Sequence, residues 1–503
     1  MKLSVRLFAL LLTLLMMFSV VSCNKKTQSD GGTTETNESW IQSDVPSDLK
    51  FDGAEVKLLF HGTTETEWNS KEGDTSVINS ALFTRNNMLE EQLDIDMNYV
   101  QNTEDASTDY LAVIRNAAFL SGGEGYDIIT GPAYYTAALA AEGLFYDLNT
   151  ADEKNYISTD GAWYNQSFVE ATSYKDRLYF LAGDATSTVM DISPVTFFNE
   201  DELRRWEITD DLYSTVLDGG WTIEYMSNLI KDIHEDLDEE EGMSKGDFMG
   251  LFFNSGAMCV DAMLVASGIN ITDTDADGKL YVSWADGNAA DAFEAIYNLM
   301  YETPGVLLGT TAEKTYYSET GFGYYSEDMF FKKQTLFSFG RIAAAQRFAT
   351  DPSLSYGMLP LPKYDENQGY ATTPQDGYSV VAIPRSIGDH LEIATATMEL
   401  LFEASYVAVR PAYFDVAYKV RYASSADTAK LFDDIMDSIT FSFGGFYSNS
   451  LGDPAWLLRG RLVGNNVIAN SNLTGLTNMY TETLTIQLQN LCATFDSLSQ
   501  QGE

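Results

Sequence analysis

Two short stretches of the chain carry side chains suited to holding a neutral polyol. Glu67 and Trp68 sit in the polar stretch that follows the first apolar run, and Tyr134 and Tyr135 follow a later one. An aromatic ring covers the apolar CH face of a sugar, and a carboxylate accepts from its hydroxyls. Other chemistry is thinner. Asp273-Thr274-Asp275-Ala276-Asp277-Gly278 matches the first half of an EF-hand loop, but position twelve, where a bidentate acid belongs, is Trp284. A polar hairpin turn is the expected reading, with calcium the minor one. Besides Cys23 there are only Cys259 and Cys492, and only three histidines. No transition-metal cluster and no cofactor are expected. The two later cysteines read as buried thiols, with a bridge between them left open. No G-x-S-x-G, HExxH or P-loop motif is present. A secreted glycosidase needs two carboxylates about 5–9 Å apart. With 74 acidic residues such pairs can always be drawn, so composition does not argue for an enzyme. Trp284 and Trp456 read as packing residues.

The N-terminus gives an address. Lys2 and Arg6 precede the apolar run from Leu7 to Met17, and Val20-Val21-Ser22-Cys23 looks like a lipobox. The run is marginal for a permanent span, which takes about 20 apolar residues. Cleavage before Cys23 and a diacylglycerol on its thiol are expected, since two acyl chains anchor stably where one does not. The stretch after Cys23 is rich in Ser, Thr, Gly and Asn and reads as a flexible tether, taken as 23–50. The expected location is the outer face of the cell membrane. The formal charge is -44, from 30 basic and 74 acidic residues. Such a surface repels nucleic acid and anionic headgroups, and no nucleic-acid partner is expected.

The elements that must position these residues follow from periodicity. Strands are expected at 54–60, 95–99 and 126–130, separated by helices at 76–93 and 110–120. That alternation implies an α/β layer with a mostly parallel sheet, whose strand C-termini are where ligands bind. A hairpin turns at Lys175-Asp176. Further strands are expected at 195–198, 336–339, 356–359 and 378–383. Further helices are expected at 200–206, at 222–236 with Thr222 as cap, at 289–301 and at 391–405.

Taken in order, these segments resemble the extracellular solute-binding proteins of bacterial ABC importers, in the carbohydrate-binding cluster that includes maltose-binding protein. Tyr126-Asp127-Ile128-Ile129, Leu139-Ala140 and Gly143-Leu144-Phe145-Tyr146-Asp147-Leu148 resemble the family's YDV…LA…GL..DL signature. Leu178-Tyr179-Phe180-Leu181-Ala182-Gly183, Phe197-Phe198-Asn199 and Gly220-Trp221-Thr222 resemble its following motifs, as do Phe330 to Phe337, Tyr356 to Pro362 and Gly377 to Pro384. The resemblance implies an α/β, two-lobed, type II periplasmic-binding-protein-like fold with a ligand cleft between lobes and three interlobe crossings, near Asp184–Thr188, Thr335–Phe339 and Asp376–Ser379. It implies a first lobe of 51–185 plus 338–377 and a second of 188–335 plus 378–503, after a signal peptide of 1–22. It adds Asp184, Thr186, Phe339, Arg341, Asp376 and Tyr378 to the ligand-binding candidates Glu67, Trp68, Tyr134 and Tyr135, with Arg341 able instead to pair with a carboxylate. Trp221 matches the family's structural helix-start tryptophan. The implied function is a monomeric binding protein, not an enzyme, that captures a solute, most simply a sugar or oligosaccharide, and delivers it to ABC permease subunits. The alternatives are a glycoside-acting enzyme, a binding protein for a cationic or peptide ligand, and a sensor.

Overall fold

The computed structural model describes residues 40–70, 73, 75–103, 109–119, 125–238, 241–309, 323–414, 431, 434–464 and 469–499. The expectations for the signal peptide, for Cys23 and for the first part of the tether lie outside the described residues. The chain divides at Ser39, and everything below concerns Trp40–Glu503.

Two sheets organise the chain. The first contains β1 (Ala54–His61), β2 (Ile95–Asn102), β3 (Ile128–Pro132) and, far downstream, β12 (Ser379–Ala382), in the order β12-β3-β1-β2. β1 runs parallel to both neighbours, as the strand–helix–strand alternation requires. β12 closes the sheet antiparallel, with Ser379 opposite Pro132. Val56, Leu58 and Phe60 point into one core, while Leu59 and Ile129 belong to the other. Helix α1 (Val77–Leu93) begins where the Ser76 hydroxyl accepts from the Asn79 amide and ends at Asp94, whose backbone is left-handed. Helix α2 (Asp109–Phe119) follows β2.

The second sheet has the order β11-β4-β10-β6-β5, with β9 also on β6. Its strands are β4 (Pro194–Asn199), β5 (His234–Glu235), β6 (Phe248–Phe253), β9 (Val306–Leu308), β10 (Thr335–Arg341) and β11 (Tyr356–Leu359). β4 and β6 are buried along their whole length, which is why they read as unbroken apolar runs rather than alternating ones. Helices α3 (Ile223–Ile230), α4 (Ala257–Ala266) and α5 (Ala289–Tyr301) accompany it. Thr222 caps α3 by accepting from the Tyr225 amide, and Trp221 is wholly buried with its indole N–H on the Pro360 carbonyl, 3.0 Å away. A small hairpin pairs β7 (Thr272–Thr274) with β8 (Leu280–Val282). Its turn is the EF-hand-like segment, where Asp275 Oδ1 already accepts from the Asp277 and Lys279 amides. Trp284 is buried and donates to Thr481. Cys259 and Cys492 are free thiols.

Four boundaries depart from expectation. Residues 338–377 were assigned to the first lobe, yet β10 and β11 pair in the second sheet, where Ser338, Phe339 and Gly340 lie opposite Phe197, Thr196 and Val195. Conversely β12, and the helix α6 (Leu391–Phe414) that packs on α1, belong with the first sheet, not with a second lobe of 378–503. The chain therefore passes between sheets at 183–193 and 360–378, and not within Thr335–Phe339. The tether does not extend to residue 50. Val45 is buried and Trp40, Ile41 and Leu49 pack on the first core, while the Glu403 carboxylate accepts from the Gln42 and Ser43 amides. The helix expected over 222–236 stops at Ile230, because His234 and Glu235 pair with Met249 and Phe248 as β5. Beyond α6, helices α7 (Pro454–Val463) and α8 (Leu473–Ser499) pack on α4 and α5, the second-sheet side.

Candidate functional site

The C-terminal end of β3 leads directly into a cleft. Gly131 has no room for a side chain: a β-carbon there would meet Thr136 Oγ1 at 2.4 Å. Pro132 then starts a single helical turn, Ala133–Thr136, that presents Tyr134 and Tyr135 side by side, their rings edge to face at 4.9 Å. The segment before β12 lies alongside, with the Tyr134 amide on the Asp376 carbonyl and the Ala133 amide on the Tyr378 carbonyl. These loops face α4, the turn at Phe441–Ser448 and α7 from the other sheet. Together they enclose a cavity of about 350 Å³ lined by Tyr134, Tyr135, Asp376 and Tyr378 on one side and Asp261, Phe441, Asp453, Trp456 and Arg459 on the other. One hydrogen bond spans it: the Tyr134 hydroxyl donates to Asp453 Oδ1 over 2.6 Å.

The polar groups are few and acidic. Arg459 pairs with Asp261 Oδ2, and Asp261 Oδ1 is out of contact with water and has no partner. Burial pushes the Asp261 carboxyl up to about 7, with Arg459 opposing the rise and Asp376 adding to it. Asp376 stands at the solvent-facing rim, and its carboxyl is also raised, first by enclosure, with Arg459 opposing and Asp453 reinforcing. Burial and the bond to Asp453 raise the Tyr134 hydroxyl, so it stays a donor. Ser448 is 3% exposed and its hydroxyl has no partner. Buried polar groups without partners are uncommon in folded chains, and two of them line one cavity.

The other anticipated residues go elsewhere. Trp68 has no exposed surface and donates to Thr64 from the core of the first lobe. Glu67 is 1% exposed and ties three chain segments together. One oxygen accepts from the amide and hydroxyl of Thr188 at 2.8 and 2.6 Å, and the other accepts from the Ser379 hydroxyl. Both sheet-to-sheet passages thus end on one carboxyl. Arg85, fully buried, holds this corner by donating to the carbonyls of Glu67 and Trp68. Burial pushes Glu67 to about 7, against the pull of its hydrogen bonds. Asp191, beside it, also rises to about 7 through burial and then the Glu67 charge. Asp184 and Thr186 line a separate cavity of about 480 Å³ with Trp163, Tyr164, Arg410 and Tyr413. Phe339 is buried in β10, and Arg341 grips Glu327 through two 2.8 Å bonds beneath the Tyr324 ring.

Asp261, Asp453 and Arg459 escaped the sequence reading, and Trp456, expected to be a packing residue, lies on the cavity wall. One signal existed: Asp261 is the lone charge in the apolar run Ala257–Ala266. Trp456 and Arg459, three apart, share a face of α7. Nothing in the sequence says that this face meets the β3 loop.

No family model and no curated protein matches the sequence. Solved structures do. The GacH receptor of Streptomyces glaucescens, solved unliganded and with acarbose and an acarbose homologue, is 13% identical with a TM-score of 0.53, covering 86% of this chain and 98% of its own. The ABC substrate-binding protein Lmo0181 of Listeria monocytogenes, in complex with cycloalternan, is 15% identical at 0.53, covering 88% and 100%. Maltose-bound MalE3 of T. maritima is 13% identical at 0.51, covering 87% and 100%. At such identities the likeness establishes the fold, the mixed α/β type II periplasmic-binding-protein architecture.

Proposed function

We propose that this chain is the substrate-binding component of an ABC importer, capturing an oligosaccharide between its two lobes. One observation carries the reading: loops from both sheets supply a cleft with tyrosine and tryptophan faces and hydrogen-bonding carboxylates, which is what a polyhydroxylated ring needs. The three structural neighbours, crystallised with acarbose, cycloalternan and maltose, support it. Lobe closure about the 183–193 and 360–378 passages would bury the ligand, and the Tyr134–Asp453 bond would hold the closed form. In this reading the ligand-binding set is Tyr134, Tyr135, Asp376 and Tyr378, joined by Asp261, Trp456 and Arg459. Glu67 acts at the hinge.

Delivery to a permease completes the proposal, with the monomer held at the outer face of the membrane by lipid on Cys23. Among the described residues no helix is long and apolar enough to cross a membrane. The test is a thermal-shift and calorimetric screen of the purified protein against oligosaccharides, peptides, nucleosides and polyamines. A saccharide should stabilise it and be recovered with its length unchanged. Stabilisation by peptides or nucleosides alone would refute the sugar assignment, and shortened saccharide would make the protein an enzyme.

A further inference from the structure

We propose that the captured saccharide carries a protonated amine, so that the cleft selects cationic amino-saccharides over neutral ones. The proposal rests on the capture reading and deepens it.

The first support is a count of charge. Asp261, Asp376, Asp453 and Arg459 are the charged side chains among the described residues lining the cavity. Arg459 is committed to Asp261. Asp453 has the Tyr134 hydroxyl, which satisfies one oxygen and neutralises nothing. Asp376 has no ion pair among the described residues. Closing the lobes over a neutral ligand would bury two uncompensated carboxylates, and burying an unpaired charge is costly. A ligand ammonium removes that penalty.

The second support is independent of the carboxylates. The Ser448 hydroxyl, almost fully buried and without a partner, lines the same cavity, as does the unpartnered Asp261 Oδ1. Both are places for a ligand donor. The third is shape. A cavity of about 350 Å³ with Tyr134, Tyr135, Phe441 and Trp456 in its walls is too large and too aromatic for a bare small cation. Aromatic faces suit both the CH surface of a sugar ring and an ammonium set over it. The overall charge of -44 draws cations toward the cleft at low ionic strength.

Protons should report the event. Asp261 faces Arg459 and Asp376, and Asp376 faces Arg459 and Asp453. Burial raises both acids, so an arriving ammonium favours their ionised forms and expels protons. A neutral hydroxyl donating to the same oxygens favours ionisation more weakly, so a neutral sugar releases less.

The experiment is isothermal titration at pH 7 of neutral α- and β-linked di- and trisaccharides, each paired with its 2-amino-2-deoxy counterpart, in two buffers of different ionisation enthalpy. The expected result is binding of at least one amino member about tenfold or more tighter than its neutral partner. Its heat should be buffer-dependent, and the preference should fall when salt rises from about 0.05 to 0.5 M. Asp376→Asn and Asp453→Asn should weaken binding of the amino member more than binding of its neutral partner, so that the preference shrinks. Equal or tighter binding of the neutral members overturns the proposal and leaves the capture reading standing. Binding of neither set, with stabilisation by peptides or nucleosides, overturns both.

Discussion

Glu67→Gln isolates the buried carboxyl where the passages at 183–193 and 360–378 meet. Its ordinary value of 4.5 is raised to about 7 by burial. Between those values the folded chain keeps a proton that the unfolded chain has lost, so stability falls as pH rises through this window. The lowest point lies above the folded value, where a bare carboxylate occupies the buried site. Taking one unit as about 1.4 kcal/mol, the carboxyl costs roughly 1 kcal/mol at pH 5 and roughly 3 at pH 8, a difference of about 2.5 kcal/mol. Glutamine keeps an acceptor for Thr188 and a donor for Ser379 without titrating. The variant should therefore exceed the wild type by roughly 1 kcal/mol near pH 5 and by roughly 3 kcal/mol near pH 8. Asp191 should strengthen the trend, since loss of the Glu67 charge eases its own ionisation. The assay is urea unfolding of both proteins at four pH values, compared as differences so that raised acids not coupled to Glu67 cancel. A wild-type-to-variant gap that does not change with pH would refute the assignment of a raised, proton-holding Glu67.

Three other outcomes are expected. Trp456→Ala, at a side chain 46% exposed on the cleft wall, should change stability by less than about 0.5 kcal/mol while weakening saccharide binding roughly tenfold in calorimetry. Trp221→Ala removes a fully buried indole bonded to the Pro360 carbonyl and should cost about 3–5 kcal/mol in urea unfolding. Cys23→Ala should move a folded, ligand-competent protein from the membrane fraction to the medium. Retention on membranes after signal cleavage would show that lipid is not the anchor.

Local pattern was enough for much of the first lobe. The alternation in Ala54–His61, the Ser76 cap and the Lys175-Asp176 turn each express forces acting within a few residues. Each appears where expected, the turn with both residues left-handed. Tyr134 and Tyr135 likewise fall just past the C-terminal end of β3, where the apolar run ahead of them places them. What failed was longer-range. Strands β4 and β10 are buried on both faces, so neither has a periodicity that names its sheet, and the assignment of 338–377 went to the wrong lobe.

The site divides the same way. The sequence by itself determined that an aromatic pair would stand at the end of β3, and that the chain would carry a large negative charge. Only the tertiary structure decided which carboxylates face that pair. Asp261 and Arg459 lie more than a hundred residues downstream on helices, and Asp453 at the start of one, whose own patterns do not distinguish a cleft from open solvent. Glu67, a candidate on residue type, was instead drawn into a buried knot with Thr188 and Ser379, because the passages at 183–193 and 360–378 leave an amide and hydroxyls there that need an acceptor.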